Sequence, residues 1–167
     1  MYAGTWQSSA VVVKMLRRDR ATADHHALLQ EEAAVLVQLH HVHIVRVFGF
    51  CDPPDSAIVM EHVGGGTLRQ WLHTTRRNVE RRAARMPVVL QQLFEVLHGV
   101  ASGMAYVHRR GWVHLDLKPD NVLVSEVDGR VVAKVADLGL ARPVRRDTQL
   151  CRDSRGAGTP GYMAPEV

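Results

Sequence analysis

Cysteine and lysine are both scarce: two cysteines, Cys51 and Cys151, and three lysines, Lys14, Lys118 and Lys134, stand among 167 residues that carry 18 arginines. Two cysteines make no disulfide framework, so a reducing, intracellular setting is expected, cytoplasmic or the intracellular part of a larger protein. No apolar run approaches the ~18 residues of a membrane-spanning helix, which excludes a membrane segment in this chain. The start, MYAGTWQSSAVVVK, has no basic stretch followed by a long apolar one, and so no signal peptide. Positive charge exceeds negative by only +4, and the arginines are scattered rather than clustered, which argues against nucleic acid as a partner. What is present is globular in character. Apolar residues make up 46% and charged residues 23%, a balance that excludes a disordered tail and suits one ordinary domain or part of a larger one.

Along the chain, Ala10 to Leu16 is a β-branched run that reads as a buried strand. Asp24 to Leu39 reads as a helix with Leu28, Leu29, Val35, Leu36 and Leu39 on one face. Ile44–Phe50 and Ala57–Glu61 read as strands joined by the turn Asp52-Pro53-Pro54-Asp55, an antiparallel hairpin. Gly64-Gly65-Gly66 is expected to be a flexible break, and Thr67 the N-cap of a short helix, TLRQWLHTT. The basic stretch Arg76–Arg85 reads as a solvated connector. After Pro87, the apolar residues Leu90, Leu93, Leu97, Val100, Met104 and Val107 mark a core helix ending at Gly111. Val122–Val124, a turn at Asp128-Gly129 and Val131–Val135 follow. From Asp137 to Val167 there is little periodicity, as in functional loops. Strands and one helix come first and mostly helix later, an α+β layout in two lobes.

The chemistry-bearing residues are spaced along this frame. Residues 114–121 read His-Leu-Asp-Leu-Lys-Pro-Asp-Asn, followed by Asp137-Leu138-Gly139 and by GTPGYMAPE from Gly158 to Glu166. Upstream, VVVK ends on Lys14, and Glu32 lies in the first helix. At about 100° per residue, Glu32 falls near the centre of the apolar stripe of its helix. A carboxylate there is costly unless a cation meets it, and Lys14 is the natural partner. Taken singly, the acids of residues 116–137 could be ordinary turn residues.

Together, these strings resemble the eukaryotic protein kinases, whose signature is a strand lysine, a helix glutamate, a catalytic-loop Asp with Asn five residues later, an Asp-Phe-Gly and an Ala-Pro-Glu. The phrasing is most similar to the Ser/Thr-specific, tyrosine-kinase-like group. The resemblance implies a two-lobed kinase-like α+β fold truncated at both ends. Residues 1–63 would form an N-lobe of antiparallel sheet plus one helix, and 64–167 an incomplete, mainly helical C-lobe. It implies ATP and Mg2+ as cofactors and protein serine or threonine hydroxyls as substrates. Asp116 matches the catalytic base, Lys118 the lysine on the transferred phosphate, and Asn121 and Asp137 the magnesium ligands. Lys14, paired with Glu32, would hold the α- and β-phosphates. Val12, Met60 and Leu123 would line the adenine pocket, and Glu61 to Val63 would offer backbone groups to the adenine edge. Thr159 matches the threonine that bonds the catalytic-loop Asp and Lys.

The chain departs from the pattern in several places. No GxGxxG precedes Lys14, and the chain stops after Ala-Pro-Glu. Leu115 stands in place of arginine beside the catalytic Asp, Leu138 in place of the Asp-Phe-Gly phenylalanine, and Val12 in place of alanine. The alternative to an active kinase is therefore a catalytically inert kinase-like binding module, or an incomplete fragment. His40, His41 and His43 have no companion cysteines and read as surface or core residues.

Overall fold

A β-branched run and a hairpin signal build the first part of the molecule. The computed structural model describes residues 1–15, 36–51, 57–81, 86–138, 141–143 and 158–163, with backbone only for 78–81. These fall into two units, residues 1–62 and 63–167.

In the first unit, β1 (Tyr2–Trp6), β2 (Ser9–Met15), β3 (Val47–Cys51) and β4 (Ala57–Glu61) form an antiparallel sheet in the order β1-β2-β4-β3. β3 and β4 pair antiparallel as expected, with a register shift between Val47 and Gly49; the turn expected at 52–55 lies outside the described residues. β3 starts later than the apolar run at Ile44, because Ile44 N–H donates to the His41 carbonyl and His43 N–H to His41 Nδ1, holding 41–44 as a turn. His41 is thus a turn brace. β2 is less buried than its composition suggests: Val11 is buried, whereas Val12, Val13 and Lys14 are half-buried and Met15 is exposed. Val11 joins Leu36, Leu39, Ile44, Val45, Val47 and Ala57 among the buried apolar residues of this unit. Of the helix expected over 24–39, residues 36–38 are helical and 16–35 lie outside the described residues.

The second unit is built on a hairpin. β6 (Val122–Val127) and β7 (Arg130–Val135) pair across a two-residue turn whose Asp128 and Gly129 both have positive φ, 50° and 75°, as a type I′ turn requires. Alternate residues Val122, Val124, Val131 and Ala133 face one core with Leu68 and Val96, against which Trp71 and Val100 pack. Leu68 and Trp71 come from α1 (Leu68–Arg81), Val96 and Val100 from α2 (Met86–Arg109). A short pair, β5 (Trp112–Val113) with β8 (Arg142–Pro143), completes the described elements.

Three expectations need correction here. The helix after Thr67 does not stop near residue 75 but continues to Arg81, because its arginines and glutamate favour helix and no breaker intervenes. Its start is as expected, and stronger: Thr67 Oγ1 accepts from Gln70 N–H at 3.3 Å while Gln70 Oε1 accepts from Thr67 N–H at 3.0 Å, a reciprocal capping box. In α2 the buried line runs through Val96, Gly99, Gly103, Met104 and Val107, while Leu90 and Leu97 are exposed. The buried face keeps Met104 and Val107 of the expected stripe, but in the first half of the helix it runs through Val96 and Gly99 instead of Leu90 and Leu97. Finally, Gly64–Gly66 is no flexible break. Val124 N–H donates to the Gly66 carbonyl at 2.9 Å, and Thr67 bridges to Leu123. A Cβ on Gly65 would stand 2.0 Å from the Val124 carbonyl oxygen, so only glycine permits this docking.

Candidate active site

The open end of the β6–β7 hairpin gathers the candidate catalytic groups. Asn121 ends the 3-10 turn Pro119–Asn121 just before β6, and Ala136–Asp137 follow β7. The hairpin register sets Val122 opposite Val135, and Ala136 N–H closes the end by donating to the Asn121 carbonyl at 2.8 Å. Asn121 and Asp137 are therefore brought to one edge by strand pairing.

The loop leading into this turn is braced by His114, which is 2% exposed. Its Nδ1 accepts from Asp116 N–H at 3.2 Å, which leaves Nε2–H to donate to the Ala136 carbonyl at 3.0 Å. This brace escaped the sequence reading, although His114 begins the motif. It holds two residues in unusual backbone geometry, Leu115 at φ 65° and Asp137 at φ 55°. For leucine this is an outlier, and such strain gathers where the surroundings over-determine a functional loop.

Asp116 is the hub. Oδ2 accepts from Lys118 Nζ at 2.7 Å and from Asn121 Nδ2 at 2.9 Å; Oδ1 accepts from the Thr159 hydroxyl at 2.6 Å. Asn121 Nδ2 also donates to the Asp116 carbonyl at 2.8 Å. Lys118 Nζ donates to Thr159 Oγ1 as well. Partial burial pushes the Asp116 carboxyl up, but the hydrogen bonds from Lys118, Thr159 and Asn121 together outweigh it and hold the group below the usual carboxylate range. A carboxylate offers about four acceptor directions, and the described residues fill three, leaving one on Oδ1. Lys118 has three N–H donors, two of them committed, and the third has no partner among the described residues. Asn121 has committed its Nδ2, which leaves Oδ1, a neutral oxygen of the type magnesium accepts. An amide oxygen on Asn121 and a carboxylate on Asp137 are groups of the kind that would hold magnesium.

Gly158 explains how Thr159 reaches Asp116. Its φ is 118°, and a Cβ there would stand 2.8 Å from the Leu115 carbonyl oxygen, so the GTPGY strip lies directly on the loop. Leu138 is 7% exposed and fills a buried position despite replacing phenylalanine.

In the first unit, Val12 stands opposite Met60 and Lys14 opposite Ile58. Val12 and Lys14, two apart, share one face of β2 with Met60 and Ile58 beside them on β4. The Glu61 and His62 amides are committed, donating to the Arg46 and Ala10 carbonyls at 2.8 and 3.2 Å. Val63 is half-buried at the start of the second unit, and half-buried Leu123 sits opposite Lys134 on β6. Glu32 lies outside the described residues, and its pairing with Lys14 with it; so do Gly139, Cys151 and the Ala-Pro-Glu of residues 164–166.

Comparison with known proteins adds an independent line. The chain is 33% identical over 168 residues to the serine/threonine-protein kinase STY46 of Arabidopsis thaliana, covering 100% of this chain and 27% of that protein. It is 35% identical over 170 residues to the serine/threonine-protein kinase CTR1 of the same plant, covering 100% of the chain and 19% of that protein. To the rust resistance kinase Lr10 of Triticum aestivum it is 30% identical over 161 residues, 94% of the chain and 24% of that protein. The chain thus spans about a quarter or less of the length of these relatives. The family model for protein tyrosine and serine/threonine kinases matches residues 1–167. With the catalytic-loop geometry in place, the chain belongs to the protein tyrosine and serine/threonine kinase family.

Proposed function

We propose that the chain carries the phosphotransfer machinery of a serine/threonine protein kinase, moving the γ-phosphate of ATP to protein hydroxyls. The observation that carries this reading is the Asp116–Lys118–Asn121–Thr159 network, in which a carboxylate and an ammonium are fixed side by side, each with a bonding direction that no described residue fills. That direction on Asp116 Oδ1 accepts the hydrogen bond of an incoming hydroxyl and orients its oxygen toward phosphorus. The third Lys118 donor meets the developing negative charge on the transferred phosphoryl group. Asn121 and Asp137 would hold magnesium, which when bound offsets phosphate charge. Val12 and Met60, opposite one another on β2 and β4, would wall the adenine from the first unit. The Glu61 and His62 amides are committed to the sheet, and Glu61 to Val63 would meet the polar edge of the adenine with other backbone groups. Lys14, with Glu32, serves the α- and β-phosphates.

The assignment to serine and threonine rests on Lys118, two residues after Asp116, and on its bond to Thr159; relatives named serine/threonine kinases support it. An intracellular site of action suits the cysteine usage. No helix among the described residues is long and apolar enough to cross a membrane.

The test is phosphate transfer from radiolabelled ATP to casein, with Asp116→Asn as control. Transfer is expected from the unmodified chain and its loss by at least a hundredfold from the variant. Equal signals from both would defeat the reading and leave a kinase-like binding module.

A further inference from the structure

No sequence motif singles out Arg69, in the first turn of α1, yet it joins three segments. Its Nε donates to Asp120 Oδ1 and its Nη2 to Asp120 Oδ2, both at 2.7 Å, and Nη2 donates to the Tyr162 hydroxyl oxygen at 3.0 Å. Asp120 is the residue just before Asn121, and Tyr162 lies in the GTPGY strip. The Arg69 and Asp120 side chains are 54% and 40% exposed, so the pair contributes little to fold stability. Its consequence is geometric. A forked guanidinium–carboxylate contact has one planar arrangement, so Arg69 takes its orientation from the catalytic loop.

The strip Gly158–Met163 is anchored once where Thr159 meets Asp116 and Lys118. One anchor leaves rotation about it. Tyr162 supplies the second anchor three residues on, across a turn closed by Tyr162 N–H donating to the Thr159 carbonyl at 3.0 Å. Between the anchors Pro160 and Gly161 are exposed. This exposed surface adjoins Asp116 through Thr159, within reach of polypeptide flanking a hydroxyl bound there. We propose that Arg69 is a positioning residue that fixes the Thr159–Tyr162 surface against the catalytic loop for the protein substrate. The inference rests on the phosphotransfer reading above.

The chain and its Arg69→Ala, Arg69→Lys and Tyr162→Phe variants are compared in two reactions: phosphate transfer to casein, and ATP hydrolysis without casein. Arg69→Ala is expected to raise the KM for casein roughly tenfold, with the KM for ATP and the hydrolysis rate within about twofold of the unmodified chain. Arg69→Lys, which keeps the charge but loses the fork, falls between. Tyr162→Phe raises the casein KM too, and adds nothing when combined with Arg69→Ala. An unchanged casein KM overturns the proposal, as does a parallel loss of ATP hydrolysis, which marks a residue supporting the loop as a whole. If the unmodified chain transfers no phosphate, the phosphotransfer reading fails by itself. Amide exchange then still tests the anchor: faster exchange at 158–163 in Arg69→Ala, with β6–β7 unchanged, supports it, and equal exchange overturns it.

Discussion

Replacing Thr159 by valine removes one hydroxyl while keeping shape, and the structure sets the cost. That hydroxyl donates to Asp116 Oδ1 at 2.6 Å and accepts from Lys118 Nζ, so two charged groups lose a partner at once. Hydrogen bonds to charged groups contribute roughly 1.5–3 kcal/mol each. The two losses do not add, because Lys118 and Asn121 still bond Asp116 Oδ2. Their side chains are mostly but not fully sheltered, Lys118 19% and Asp116 12% exposed, so water replaces part of what is lost. About 2 kcal/mol remains at the transition state, or about 30-fold in kcat at one decade per 1.36 kcal/mol. The fall should be in kcat for phosphate transfer, with the KM for ATP little changed, since the hydroxyl touches the catalytic pair. Thr159→Ser, which restores the hydroxyl, should recover most of the rate. The assay is steady-state transfer from radiolabelled ATP to casein, with thermal unfolding recorded for each variant. A Thr159→Val kcat within twofold of the parent, in a protein of unchanged melting temperature, would refute the idea that this network orients the carboxylate.

Two other outcomes follow from the same geometry. Because the folded-state Asp116 carboxyl titrates below its ordinary value of 3.8, its stabilising contribution is fully present above that pH and is lost as the pH falls through the lower folded value. The stability gap between the parent and Asp116→Asn, followed by thermal unfolding, should therefore be flat from about pH 5 to 8 and close only on further acidification; a gap that grows between pH 5 and 8 contradicts the assignment. Gly65→Ala should destabilise the second unit by about 2 kcal/mol or more in urea titration, since its Cβ meets the Val124 carbonyl at 2.0 Å; an unchanged midpoint would show that the bridge to β6 is not required.

Patterns carried by neighbouring residues were legible in the sequence. Period-two apolar runs and the Asp128-Gly129 turn define the β6–β7 hairpin, and Thr67 with Gln70 three residues on defines the start of α1, because both depend on local backbone chemistry. The spacing from Asp116 to Asn121 is likewise local, and it carries the resemblance to a catalytic loop. Other features were decided only when distant segments met. Which face of α2 is buried, through Val96, Gly99 and Gly103 rather than Leu90 and Leu97, depends on packing against the hairpin, which hydrophobicity alone does not record. Gly64–Gly66 reads as a flexible break until Val124 docks on it. Arg69, 51 residues from Asp120 and 93 from Tyr162, carries no signal at all, because a charged residue on an amphipathic helix looks like any other until its partners are in place. The sequence by itself thus determined which groups are candidates for the chemistry. Tertiary structure decided how they are held, because hydrogen-bond geometry between remote segments exists only once the chain has closed on itself.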